Sequence, residues 1–143
     1  MVWDTLCFPK HRVIGLLAVQ NRLPTIDNLC KRGLVLVNRC ALCESSLETI
    51  SHLFFRCSYS AMVWQAIAFW LHILPEVRLS QLLHWYKTRN RGRSQLKRQR
   101  RCALMCALYL LWQERNKRIF KGASTPPVSL IKKIKFLVLL SPS

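Results

Sequence analysis

Three cysteines and a histidine stand close together in the chain, as Cys40-x2-Cys43-x8-His52-x4-Cys57. Thiolate and imidazole are the donors that zinc takes in tetrahedral sites, drawn from two close pairs joined by a short connection. The two residues between Cys40 and Cys43 suffice to reverse the chain and bring both sulfurs to one side, and His52 with Cys57 returns the second pair. Leu53, Phe54 and Phe55 lie between those two and can cap the ligands with an apolar shell that limits water access. Four protein ligands leave no open position for water or substrate, so the spacing predicts a structural Zn2+ and not a catalytic one. In small modules such a metal contributes on the order of 10 kcal/mol to folding. The remaining cysteines have no such company. Cys102 and Cys106 sit one helical turn apart without a neighbouring His or third Cys, and they, Cys7 and Cys30 are expected to pack as buried thiols.

A second constellation is electrostatic. The chain carries 23 Lys+Arg against 6 Asp+Glu, a net charge of +17. Lys87, Arg89, Arg91, Arg93, Lys97, Arg98, Arg100 and Arg101 form a run with no acidic residue among them. Lysine and arginine neutralise phosphates without reading sequence, and Trp85 and Tyr86 beside the run could stack on bases. This points to RNA or DNA as partner. The competing reading is a solvated loop with both aromatics in the core.

Other chemistry is poorly supplied. The glycines at 15, 33, 92 and 122 are scattered, so there is no phosphate-binding loop. With Asp4 and Asp27 as the aspartates, the chain cannot assemble the carboxylate cluster of a two-metal polymerase or nuclease. Glu44 and Glu48 flank the ligands and are expected on the surface, while His72 and His84 are expected as core or surface histidines. No enzymatic activity is expected.

The elements that must position these residues are helical. Pro9 suits the start of a helix over 9–22, with Val13, Leu16, Leu17 and Gln20 at helical spacing. Thr25 is placed to cap a short helix over 26–32 that Gly33 ends, and 34–37 reads as a stub of extended chain. Residues 60–71 are apolar nearly all round, which predicts a helix buried on most sides. A further turn or two is expected over 79–86. A long helix follows over 96–120, with Leu104, Leu108, Leu111 and Trp112 on one face and Gly122 as its stop. The resulting fold is mainly α: a small helical domain built around a CCHC zinc knuckle, followed by a long basic helix. Its divisions are a zinc-binding domain with flanking helices over 1–75, a basic linker over 76–95, the long helix over 96–122 and a basic, apolar tail over 123–143.

An apolar fraction of 51% and five Trp residues in 143 argue for a packed core. Purely apolar runs such as Phe136 to Leu140 fall short of the roughly 20 residues of a membrane-spanning helix. No signal-peptide pattern is present, so an intracellular place, nuclear or cytoplasmic, is expected without membrane attachment. There, cysteines serve as ligands or thiols more often than as disulfides.

Several stretches resemble the zinc-binding region of plant non-LTR retrotransposon reverse transcriptases. They are Pro9-Lys10-His11, Leu17 to Thr25, Leu29, Arg32-Gly33, Cys40-Ala41-Leu42-Cys43, Glu48-Thr49 and His52 to Cys57. Leu111 to Phe120 looks like the helix that often follows. The resemblance covers roughly residues 1–122 and implies Cys40, Cys43, His52 and Cys57 as the zinc ligands. It implies an accessory module, because no acidic Tyr-x-Asp-Asp polymerase motif is present. A nucleic-acid-binding module, a docking module for a polymerase or nuclease domain encoded elsewhere, and a stand-alone element remnant are all compatible with it. One departure is local: such chains often carry Gly straight after the second Cys, where this one has Glu44.

Overall fold

A 27-residue helix, Gln95–Lys121, forms the spine onto which the other elements pack. At 1.5 Å per residue it is about 40 Å long. The computed structural model describes residues 9–34, 37–72 and 94–140. Among these the order is α1 (Pro9–Val19), α2 (Ile26–Lys31), a π-helical turn (His52–Arg56), α3 (Ser58–Leu71), α4 (Gln95–Lys121) and α5 (Pro127–Leu140), with no strand. The helix expected over 79–86, together with Trp85, Tyr86, Lys87, Arg89, Arg91 and Arg93, lies outside the described residues. No helix among the described residues is long and apolar enough to cross a membrane.

α4 is buried along its middle on every side. Cys102, Ala103, Leu104, Met105, Cys106, Ala107, Leu108, Leu110 and Leu111 all lie in the core. α1, α3, α5 and the π-helical turn each contact it. A helix surrounded in this way needs apolar residues all round, and the small Ala103 and Ala107 let neighbours approach closely. The helix starts where Ser94 Oγ accepts from the Lys97 backbone N–H at 3.3 Å. It stops at Gly122, whose φ of +62° is the left-handed conformation that glycine adopts without strain.

Two expectations change here. In α1 the buried residues are His11, Gly15 and Ala18, while Val13 is half exposed. Small side chains allow the close approach to α4, so the bulkier valine turns outward. α3 is less enclosed than its composition predicts. Tyr59, Val63, Ile67 and Leu71 face the core, but Met62 is 50% and Phe69 88% exposed. Its neighbours among the described residues, the π-helical turn, α4 and α5, cover one side. α5 presents Leu130, Ile134 and Val138 inward at four-residue spacing, against α3 and α4.

Candidate metal centre

The four predicted ligands converge: their donor atoms all lie within 4.8 Å of one another. Cys40 Sγ and Cys57 Sγ are 3.9 Å apart, and Cys43 Sγ and His52 Nε2 are 3.3 Å apart. A tetrahedral ion with Zn–S of about 2.3 Å and Zn–N of about 2.0 Å requires edges of roughly 3.5–3.8 Å; the Cys40–Cys57 and Cys43–His52 separations lie close to these, so the donor set could hold such an ion. Cys40 and Cys57 are fully buried, and Cys43 and His52 are half-buried. None of the three cysteines is in a disulfide.

Local bonding explains the convergence. The Cys40 backbone N–H donates to the Ser46 carbonyl at 2.7 Å, and the Glu44 N–H donates to the Cys40 carbonyl at 2.9 Å. These bonds close the first knuckle. Glu44 then takes φ +58°, a conformation costly for any residue with a Cβ. The second pair depends on the π-helical turn. In an α-helix residues five apart point about 140° away from each other. Here the Cys57 N–H bonds the His52 carbonyl at 2.8 Å, an i→i+5 closure that widens the turn and brings residue 57 back over residue 52. Thr49 Oγ1 accepts from the His52 N–H at 3.0 Å and anchors the start. Leu53 and Phe54 are fully buried beneath, and Phe55 stacks on Trp64 with centroids 5.5 Å apart.

Without a metal, the donors titrate in different directions. Burial pushes His52 below its ordinary value, favouring the neutral imidazole that binds metals. The hydrogen bond between the two thiols, followed by burial, raises Cys40; the same hydrogen bond lowers Cys57 toward thiolate.

The surprise is Glu48, expected on the surface. It is fully buried and forms a two-pronged ion pair with Arg115, at 2.8 and 3.1 Å. Glu48 Oε1 also accepts from the Ile26 backbone N–H at 2.9 Å, so this carboxylate caps α2 where Thr25 does not. Asn38 bridges the same segment, its Oδ1 accepting from the Glu48 N–H at 2.7 Å. Arg115 continues to the Pro24 carbonyl at 3.3 Å and lies 4.7 Å over the Trp112 ring. One turn on, Arg118 Nη1 donates to the Ala41 and Leu42 carbonyls, at 3.3 and 3.0 Å, inside the first knuckle. Glu114 holds Arg118 at 2.9 Å and accepts from the Thr125 N–H at 2.8 Å. Burial alone would raise the Glu114 carboxyl, but Thr125, Arg118 and Lys117 outweigh it and hold it below its ordinary value.

The predicted basic residues divide. Lys97, Arg98 and Arg100 are half-buried on the first turns of α4, and Arg101 is buried. Arg100 caps the end of α3 through the Leu71 and His72 carbonyls, at 2.9 and 3.1 Å. Cys102 and Cys106 are buried as expected, but Cys30 is exposed on the short α2, whose inward residue is Asn28. No other group of three or more His, Cys, Asp or Glu side chains converges among the described residues.

Fold and site together define a small helical metal-binding module of the Cys3His kind. Residues 1–64 match the family described as zinc-binding in reverse transcriptase. The match holds all four ligand-type residues and ends inside α3, ahead of α4 and α5. Comparison with curated proteins and with solved structures returned no match.

Proposed function

We propose that this chain is a zinc-stabilised accessory module of a retrotransposon reverse transcriptase of the plant non-LTR kind, and that it binds RNA or single-stranded DNA without polymerase chemistry. Cys40, Cys43, His52 and Cys57 would hold Zn2+, whose contribution is to fix the knuckles. The observation that carries the reading is the pairing of a closed donor set with a charge of +17. The carboxylates bear on the missing chemistry. Glu48 and Glu114 are each tied to arginine, and Asp27 faces Lys31 at 4.0 Å, so these do not form a two-metal site. The test measures zinc by native mass spectrometry and binding of single-stranded RNA between 50 and 200 mM salt. One equivalent of zinc and affinity that falls steeply with salt are expected. A zinc-loaded protein with no salt-sensitive binding would overturn the nucleic-acid reading.

A second reading rests on Phe69, 88% exposed on α3, and on Phe136, Leu139 and Leu140, exposed on α5. Apolar side chains in such number favour docking against a polymerase or nuclease domain encoded elsewhere. A monodisperse monomer that binds no hydrophobic dye would count against it.

A further inference from the structure

A cavity of about 520 Å3 opens between α1, α4 and α5, away from the metal centre's four side chains. Its lining includes four lysines, Lys10, Lys117, Lys121 and Lys133, and two aromatics, Tyr109 and Phe120. Glu114 is the one carboxylate there, and it is already engaged by Lys117 and Arg118, both at 2.9 Å. Lys10 lies 5.4 Å over the Tyr109 ring. Among the described residues neither Lys121 nor Lys133 has an ion-pair partner. Phe120, which also lines the cavity, is 76% exposed and so presents its ring to solvent. The volume falls in the roughly 300–1,000 Å3 range of ligand sites.

We infer that this cleft is the seat of single-stranded nucleic acid, with Lys121 and Lys133 taking phosphates and Phe120 stacking on an unpaired base. The inference rests on the nucleic-acid reading above and gives it a place that the basic run at the start of α4 does not. Lys97 and Lys121 are 24 residues apart on one helix, about 36 Å along its axis. Lysines alone would suit any polyanion. The exposed ring selects among them, because a base in a duplex has both faces covered whereas an unpaired base offers a face to an aromatic side chain. An acidic peptide would satisfy the lysines and leave Phe120 without a role.

Fluorescence anisotropy of a labelled oligouridylate on the zinc-loaded full chain provides the test. Lys121→Ala/Lys133→Ala should weaken binding by roughly tenfold or more and reduce the log–log salt slope by about 1.4, two phosphate contacts on a single strand. Phe120→Ala should weaken it roughly 5- to 160-fold with the slope unchanged. Lys31→Ala/Arg32→Ala, which removes the same charge at the C-terminal end of α2, should do neither. Photocrosslinking of 4-thiouridine RNA to the unmodified protein gives an independent reading, with adducts expected between residues 109 and 121. Wild-type binding with unaltered affinity in both cleft variants, or adducts confined elsewhere, would place the RNA outside the cleft while leaving the nucleic-acid reading intact. Displacement by a glutamate-rich peptide at equal affinity, with Phe120→Ala silent, would assign the cleft to an acidic protein segment. Absence of wild-type binding would remove both readings together.

Discussion

Residues 38–49 and the middle of α4 are ordered by different means. The first has no regular secondary structure; hydrogen bonds from Asn38 and Cys40, the buried Glu48 and the ligand cluster hold its shape. The second is a helix whose apolar residues are enclosed by α1, α3 and α5. Burial of apolar area is non-directional and survives many changes of side chain, whereas ligands and ion pairs fail when one member is removed. The knuckles should therefore be all-or-none in their response, and the helical core graded.

Removing the metal should separate the two most strongly. In a chelator, or in Cys43→Ala, residues 38–57 lose on the order of 10 kcal/mol of support. Amide exchange there should become fast while the middle of α4 stays protected; equal loss of protection in both would show that the core also depends on the metal. Next comes the Glu48–Arg115 pair. Glu48→Ala leaves the Arg115 guanidinium buried without its partner and should cost about 3–5 kcal/mol by denaturant titration. The double variant Glu48→Met/Arg115→Met should recover much of this, and a cost equal to the sum of the singles would refute a coupled pair.

The α1–α4 contact carries a pH signature independent of the ligands. Burial, reinforced by Lys10, pushes His11 down to about 4, and its ring packs 4.4 Å from Tyr109. The fold thus prefers the neutral ring. This contribution is complete above the unfolded value of about 6.5 and is lost as the pH falls through about 4, at most roughly 3 kcal/mol. His11→Phe should flatten the stability profile in that window, and an unchanged slope would exclude His11 as its source. The smallest effect should come from Glu44→Gly, which relieves the left-handed backbone and should stabilise the first knuckle by about 1 kcal/mol. A lower urea midpoint would mean that the glutamate side chain compensates for the strain.

Legibility in the sequence followed the range of the interaction. Cys40, Cys43, His52 and Cys57 fall within 18 consecutive residues, so type and spacing were enough to single out the cluster that the structure brings together. Gly33 and Gly122 marked helix ends for equally local reasons. Glu48 was misplaced because its partner is 67 residues away, and nothing near it signals burial. Arg115 and Arg118 entered only through the family resemblance of Leu111 to Phe120; their physical reason is that both reach back into the knuckle segment. The π-helical turn was invisible, since His-x4-Cys specifies two ligands without specifying the i→i+5 closure that aligns them.

The Glu48–Arg115 pairing has a consequence in the order of synthesis. At about 5–20 residues per second the ribosome needs about 3–13 s to advance from one partner to the other. The four ligands are complete within a small fraction of that interval. The nascent knuckle can close on its metal early, with the Glu48 carboxylate still in water, and the carboxylate enters the interior only when α4 arrives to meet it. A metal that binds first would hold that half-built surface in register while the rest of the chain is made.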